Sequence, residues 1–208
     1  MVALTHDALT RIEAPLPAKN LEALVGAEGW ARLPAAVRAR FASHVRTADY
    51  VGAGTFEATL IGRAFAYLGF LFGRPLPVHT GAANVAIRVR TEARGEVWTR
   101  TYEFAGGMEV VSSVKHAGAA RWLEERAGPL IMRLSVFEES RVLVFDCRDF
   151  RLRFGPLEIP VPFVLTPGRI RVEHHDLGGG RFAFTLEARH PWLGTTFRQR
   201  CECCEALK

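Results

Sequence analysis

The feature that most constrains the fold of this chain is a long run of alternating apolar and polar residues between positions 84 and 204. Val85, Ile87 and Val89, for example, alternate with Arg88 and Arg90. A period of two places one set of side chains on one face of a strand and the other set on the opposite face. The pattern therefore predicts a half-buried antiparallel sheet.

Glycine and proline turns divide this region into nine predicted strands. The strands cover residues 84–93, 96–104, 108–116, 119–126, 130–138, 141–154, 169–176, 181–189 and 195–204. Consecutive strands with short connections indicate a meander. A sheet of this width must also curve or close to protect its edges.

Two helices are predicted before the strands, in addition to a short one around Leu21–Val25. One begins near Pro34, since proline suits the first helical position. Its apolar residues fall at helical spacing and its arginines on the outward face: Val37, Phe41 and Val45, with Arg38 and Arg40 outward. The other helix covers Thr55–Phe72. It is apolar nearly all round, which indicates burial against an apolar surface.

Together these elements predict an α+β fold in which N-terminal helices pack on a strongly curved antiparallel β-sheet. The sheet is expected to form an incomplete or closed barrel with meander topology. We assign residues 1–29 to an N-terminal extension and residues 30–208 to a single domain, which is long enough to bury a core without disulfides.

The composition is that of a globular protein, with 49% hydrophobic and 24% charged residues. The 27 Lys and Arg residues against 22 Asp and Glu residues give a formal net charge of +5. This balance favours anionic partners but falls short of a nucleic-acid-binding footprint.

The sequence predicts a cytoplasmic, reduced protein. Its first residues lack the basic and apolar regions of a signal peptide. The apolar stretch Thr59–Gly73 is too short to cross a bilayer, and Arg63 interrupts it. The four cysteines do not have the spacing of a disulfide framework, since three of them lie in the last eight residues.

Pairs of arginines recur at Arg-x-Arg spacing on four predicted strands, so each pair shares one strand face. The pairs are Arg88 and Arg90, Arg151 and Arg153, Arg169 and Arg171, and Arg198 and Arg200. They form either an ordinary solvated face or a cationic surface that docks a partner protein or an anionic membrane. Nucleic acid is not an expected partner, because the nearby aromatic residues alternate onto the other face.

Aromatic residues dominate the face expected to point inward. Together with an arginine and a histidine, they come from three predicted strands: Trp98, Arg100, Tyr102, Phe104, His174, Phe182 and Phe184. A curved sheet closed by a helix leaves a cavity where its inner side chains do not fill the space. We therefore predict non-catalytic binding of a hydrophobic or lipid-like small molecule, without a cofactor.

Several patterns that could indicate an enzyme or a metal site are weak. Glu173-His-His-Asp176 is the densest cluster of titratable residues, and an inward His174 paired with a carboxylate would favour an enzyme. Cys201-x-Cys203-Cys204 lacks a second cluster at zinc-site spacing, so we predict buried cysteines and no metal. Val51-Gly-Ala-Gly54 lacks the third glycine and the parallel unit of a dinucleotide fingerprint, and it is interpreted as a turn entering the helix.

A series of short motifs resembles a bacterial domain of unknown function, family 4166. In order along the chain they are Gly29-Trp-Ala-Arg-Leu-Pro-Ala-Ala-Val-Arg38, Gly52-Ala-Gly54, Gly73-Arg-Pro-Leu-Pro-Val78, Gly95-Glu-Val-Trp-Thr-Arg100, Arg126-Ala-Gly-Pro-Leu130, Ile159-Pro-Val-Pro-Phe163 with Leu165-Thr-Pro-Gly-Arg169, and Pro191-Trp-Leu-Gly194. The resemblance covers about residues 30–205. It implies a domain found alone or C-terminal to a saccharopine-dehydrogenase-like reductase, and it supplies no catalytic residues.

Overall fold

The computed structural model describes residues 20–43, 47–93, 95–118 and 122–206. These contain four α-helices: α1 (Leu21–Val25), α2 (Ala27–Arg32), α3 (Ala35–Phe41) and α4 (Leu60–Gly69). They also contain eleven strands: β1 (Thr47–Ala58), β2 (Gly81–Glu92), β3 (Gly95–Phe104), β4 (Gly107–Ala117), β5 (Leu123–Ala127), β6 (Leu130–Glu139), β7 (Val142–Phe154), β8 (Leu157–Pro160), β9 (Arg169–Gly178), β10 (Arg181–His190) and β11 (Gly194–Glu205). Within this part of the chain, no helix is long and apolar enough to cross a membrane.

Ten strands form a closed antiparallel barrel in the order β6-β5-β4-β3-β2-β1-β11-β10-β9-β7, which the β6–β7 pairing closes. Strand β8 pairs with β7. The predicted α+β class and the curved, largely meandering sheet are confirmed. Inward-facing apolar residues such as Ile87, Phe145 and Phe184 are buried, as the alternation predicted.

All nine predicted strands are present to within a few residues, although 119–121 lie outside the described residues. The helices predicted at Leu21–Val25 and after Pro34 are also confirmed, and Pro34 is the N-cap of α3. Val45 lies outside the described part of the chain.

The predicted helix over Thr55–Phe72 is wrong in its first part, because Thr47–Ala58 is strand β1 and α4 starts only at Leu60. The glycines read as a turn lie inside that strand. A Cβ atom on Gly52 would lie 2.0 Å from the Glu202 carbonyl oxygen, and one on Gly54 would lie 2.4 Å from Cys201 Sγ. These glycines therefore allow β1 to approach β11 closely where the barrel curves.

Helices α1 to α3, which we call the helical cap, close the end of the barrel where β1 begins. Phe41 at the end of α3 is the central contact. Its ring lies 4.8 Å from that of His174, 5.8 Å from that of Phe145 and 6.2 Å from that of Trp98, measured between centroids. Leu21, Leu33 and Val37 of the cap are buried with it, so large apolar side chains seal this end.

Residues 59–80, which we call the lid, cross the opposite end. Thr59 N–H donates to the Thr196 carbonyl of β11 at 3.0 Å, and the segment then passes against the backbone of Ala127 at the end of β5. Strands β11 and β5 lie on opposite sides of the barrel. The lid therefore spans the full width of the barrel end.

The returning part of the lid is fixed by one carboxylate. Glu109 on β4 is buried and accepts hydrogen bonds from the backbone N–H groups of Val78, at 3.1 Å, and His79, at 2.8 Å. The His79 ring nitrogen also lies 2.5 Å from this carboxylate. Glu109 thus holds the segment Pro75–Pro77 against the barrel interior.

Candidate functional site

A cavity of about 80 Å³ lies inside the barrel. Its walls include residues of both end closures, Arg40 and Phe41 of the helical cap and Pro75–Pro77 of the lid. The volume is well above the 10–15 Å³ that a water needs. It is well below the 300–1,000 Å³ of pockets that hold drug-sized ligands. The space therefore suits a small or narrow molecule.

Six of the seven residues predicted to bind a ligand line this cavity: Trp98, Arg100, Tyr102, His174, Phe182 and Phe184. Phe104 is buried nearby but lies outside the cavity wall, where its ring packs against Phe56 at 5.0 Å and against His79 at 5.6 Å. The structure thus brings together side chains from β3, β9 and β10 that are far apart in the sequence.

A charged cluster occupies one wall of the cavity. Glu125 Oε1 accepts hydrogen bonds from Ser113 Oγ at 2.5 Å and Lys115 Nζ at 2.9 Å, and an Arg100 amino group lies 3.4 Å away. Both cations also lie over Trp98, Lys115 Nζ at 4.6 Å and the Arg100 guanidinium carbon at 5.5 Å from the ring centroid. Burial alone would raise the pKa of Glu125, but Lys115, Arg100 and the hydrogen bonds lower it to about 2. The carboxylate is therefore ionised and firmly held.

His174 lies on the cavity wall in an aromatic setting and is only 7% exposed. Its ring packs against Phe41 at 4.8 Å, Phe145 at 5.6 Å and Phe184 at 5.9 Å. Burial lowers the pKa of His174 well below its usual range, and the positive charge of Arg40 lowers it further, so the ring is neutral. Its Nδ1 atom is buried and has no hydrogen-bond partner among the described residues.

Arg40 also lies on the cavity wall, which corrects the prediction that it faces outward. Its guanidinium carbon lies 3.7 Å from the centroid of the Phe182 ring. One of its terminal nitrogens is buried without an acceptor among the described residues, and burial lowers its pKa. Helix α3 is only seven residues long and sits on the barrel mouth, so a side chain on its outward face by helical spacing can still reach into the barrel.

The described part of the chain does not bring a carboxylate into hydrogen-bond contact with the buried Nδ1 atom of His174. The hydroxyl of Ser113 donates to Glu125, whose low pKa makes it a weak base. The arrangement is suited to binding an acceptor group, since it offers buried nitrogens without partners inside an apolar space.

The eight arginines of the Arg-x-Arg pairs lie on the outer wall of the barrel, where carboxylates pair with them. Arg88 and Arg90 pair with Asp49, Arg151 with Asp149, Arg169 with Asp146, Arg171 with Glu139 and Glu173, Arg198 with Glu187, and Arg200 with Glu202. Arg153 donates to the Gly155 carbonyl at 3.1 Å. Docking of an anionic surface on this wall stays a prediction.

The cysteines at the end of β11 take the positions that the alternation predicted. Cys201 and Cys203 are buried and face the interior, while Cys204 is exposed. Burial raises the pKa of Cys201 to about 11 and that of Cys203 to about 12, so both are protonated thiols at neutral pH. In the ranges that the structure describes, no group of three His, Cys, Asp or Glu side chains is placed to hold a metal ion.

Sequence reasoning missed three residues of this site: Arg40, Lys115 and Glu125. The signal for Lys115 was available, because it follows Val111 and Ser113 at a spacing of two and therefore shares their inward face. Glu125 had the same kind of signal, between Leu123 and Ala127. An inward charge on a strand of this kind indicates a paired, buried ion rather than a solvated one.

Comparisons with known proteins place the chain in a family. No curated protein matches it significantly. A crystal structure from Thermobifida fusca YX, of a protein proposed to be a thioesterase II, aligns over 81% of each chain with 10% sequence identity. Its TM-score of 0.28 is too low to support an argument about this chain. The family model described as "Domain of unknown function (DUF4166)" matches residues 33–202, and the chain therefore belongs to that family.

Proposed function

We propose that this domain binds, without chemical conversion, a narrow apolar small molecule that carries one acidic group. The observation that supports this most directly is the pair of buried nitrogens on the cavity wall, one of Arg40 and one of His174, that have no partner among the described residues. Buried polar groups in folded proteins almost always have a partner, so such atoms favour a ligand that supplies one.

The chemistry of the wall favours a carboxylate over a neutral polar group. Arg40 carries a charge, and Arg–carboxylate pairs are among the strong, charge-assisted hydrogen bonds in proteins, often with two parallel N–H groups. The neutral ring of His174 can donate one further hydrogen bond from its Nδ1 atom in the corresponding tautomer. The acidic group would then lie beside the helical cap.

The rest of the wall favours an apolar chain. Between the helical cap and the lid, the cavity wall consists mainly of aromatic and aliphatic side chains such as Ile87, Phe145, Ile170 and Phe184. The cavity has a small volume, and its walls include both end closures, so a thin, unbranched chain fits better than a fused ring system. An alkyl carboxylic acid meets both requirements.

Native mass spectrometry of gently purified protein, beside a denatured control, tests this proposal. We expect additional mass that disappears on denaturation, and a released acid detected in negative-ion mode. Loading stripped protein with butanoic acid, which is small enough for the cavity, should add the mass of one acid molecule. Failure of stripped protein to take up alkyl acids of any length would contradict the proposal.

A further inference from the structure

The outer surface of the lid has the opposite composition to that of an ordinary surface helix. Helix α4 buries its small residues, Gly62, Ala66 and Gly69. Its large apolar residues point away from the barrel: Leu60 is 84% exposed, and Leu71, just after the helix, is 73% exposed. An amphipathic helix of a globular protein normally turns its large apolar residues inward.

Two other segments continue this surface at the same end of the barrel. One is the connection from the end of β7 to β9, and the other is the turn between β10 and β11. Thr196 joins all three segments: its carbonyl accepts the N–H of Thr59 in the lid, and its hydroxyl donates to the Pro167 carbonyl at 2.9 Å. Phe163 and Trp192 pack against each other with ring centroids 5.0 Å apart.

We call this surface the apolar end. It contains fourteen of the eighteen large hydrophobic side chains that are exposed in the described part of the chain. Its members are Leu60, Ile61, Tyr67, Leu68, Phe70, Leu71, Phe154, Leu157, Ile159, Phe163, Val164, Leu165, Trp192 and Leu193. A concentration of exposed apolar side chains at one end of a protein marks an interaction site.

The charges of the apolar end indicate the kind of partner. The lid contains Arg63 and Arg74 and no Asp or Glu, but Arg74 is already paired with Glu109 of β4, at 3.7 Å. Arg189 lies just before the β10–β11 turn. Arg63 and Arg189 are exposed and have no carboxylate partner within the ranges that the structure describes. The one carboxylate in the β7–β9 connection, Glu158, lies 3.3 Å from Arg133 and is already paired.

The barrel wall differs from the apolar end in the pairing of its arginines. Its Arg-x-Arg pairs are largely matched by carboxylates, as described above, whereas the exposed arginines of the apolar end are available to external anions. Tryptophan, tyrosine and leucine beside unpaired arginines are the composition of surfaces that lie in the headgroup region of a bilayer. Anionic lipids attract such arginines.

We propose that the apolar end docks on the surface of an anionic lipid bilayer, with the lid and Trp192 inserted at the level of the headgroups. This proposal is independent of the proposed binding of an acid inside the barrel, because it rests on the outer surface alone. If both proposals hold, the mouth of the barrel that Pro75–Pro77 closes would face the membrane.

Vesicle flotation tests the docking proposal. The probes are vesicles of phosphatidylcholine alone and of phosphatidylcholine with phosphatidylglycerol. We expect binding to the second kind, with a strong decrease between about 0.1 M and about 1 M salt, as the Debye length falls from about 10 Å to about 3 Å. Trp192→Ser and Leu71→Ser should each lower the partition coefficient about tenfold, since each removes a large apolar side chain from the interface.

Two matched controls make the result specific. Trp122→Ser removes an exposed tryptophan at the other end of the barrel and should leave binding unchanged. Arg88→Gln removes a paired wall arginine and should have little effect, whereas Arg63→Gln should weaken binding to anionic vesicles. Circular dichroism of each variant confirms that it is folded.

Several results would overturn the proposal. They are no binding to either kind of vesicle, equal binding to both at high and low salt, or an equal loss of binding in Trp122→Ser. Concentration-dependent dimerisation that Leu71→Ser abolishes, without vesicle binding, would assign the apolar end to a second copy of the chain and would also contradict docking on lipid.

Discussion

The helical cap and the lid close opposite ends of one barrel, but they bury different kinds of side chain. The helical cap inserts Phe41 and seals its end with Leu21, Leu33 and Val37. The lid presses Gly62, Ala66 and Gly69 against the barrel and leaves Leu60 and Leu71 exposed.

The two closures therefore contribute differently to the stability of the fold. Burial of large apolar side chains stabilises the fold, so the helical cap contributes to the core. Helix α4 of the lid contributes less, because it buries only small residues. The large apolar side chains that the lid buries, Leu76 and Val78, lie in its returning part, which Glu109 holds. Elements with few buried apolar contacts open more readily. We therefore expect helix α4 to be the part of the two closures that moves.

The largest effect expected from this comparison is that of Phe41→Ala. It removes a buried ring that contacts Trp98, Phe145 and His174, and it should lower the free energy of unfolding by about 3–5 kcal/mol. Phe70→Ala is the matched change in the lid, where the ring is exposed, and should have an effect of about 1 kcal/mol or less. Urea denaturation measures both. Similar losses would show that the two closures are energetically alike.

Gly62→Ala should have the next largest effect. A Cβ atom at this position would lie 1.8 Å from the Thr196 carbonyl oxygen, so the lid must move away from β11. We expect a loss of about 1–3 kcal/mol and faster hydrogen exchange confined to residues 60–72. In Gly69→Ala the new atom would lie 3.0 Å from the Pro75 ring, so a smaller effect is expected. Unchanged exchange in the Gly62 variant would contradict the close packing of the lid.

His174, which packs against Phe41 of the helical cap, makes the stability of the fold depend on pH. Its pKa in the folded protein is lowered by burial and by neighbouring cations, so the unfolded chain takes up a proton first as the pH falls below about 6.5. Stability from this group is therefore present above that pH and is lost on acidification, by at most about 1.4 kcal/mol per pH unit. His174→Phe should flatten the stability curve between about pH 7 and about pH 5.5 relative to wild type.

His175→Phe is the control for this measurement, because His175 is partly exposed and hydrogen bonds to Glu173 at 3.2 Å. It shows how far a phenylalanine at the neighbouring position of β9 alters the fold by itself. If His174→Phe retains the wild-type slope, His174 is not the neutral, buried group described above.

The smallest effect is expected on the outer face of the lid. Leu71→Ser should change the free energy of unfolding by less than about 0.5 kcal/mol, because the side chain is exposed. Leu76→Ser, at a buried position of the same lid, should be clearly destabilising. Thermal unfolding compares the two. A large loss in Leu71→Ser would mean that this side chain supports the fold rather than an interface.

Much of the barrel could be predicted from sequence, because a period of two is a local signal that each strand carries for itself. Strand β1 was missed since Gly52 and Gly54 occupy its inward positions, where apolar side chains were expected. Tyr50 and Phe56 continue the same face at a spacing of two, so the signal was present but weak. Strand β8 was missed because it is four residues long and ends at Pro160.

The site was predicted in part for the same reason. Trp98, Tyr102 and His174 were assigned to the interior from their strand positions alone. The contribution of Arg40 could not be foreseen, since it depends on where α3 sits on the barrel mouth. Which face of the lid helix is exposed could not be foreseen either, because an apolar helix gives no sign of which face packs until its partner is known.

The most direct test of the proposed function is a calorimetric titration of the stripped protein with butanoic acid and with butanol, two chains of equal length that differ in the terminal group. We expect the acid to bind at least about tenfold more tightly, the effect of one hydrogen bond to a charged group. Arg40→Gln should abolish this preference, whereas Arg38→Gln, at a neighbouring arginine outside the cavity, should retain it. Equal affinity for the two compounds, or a preference that survives Arg40→Gln, would contradict the assignment of the acidic group to Arg40 and His174.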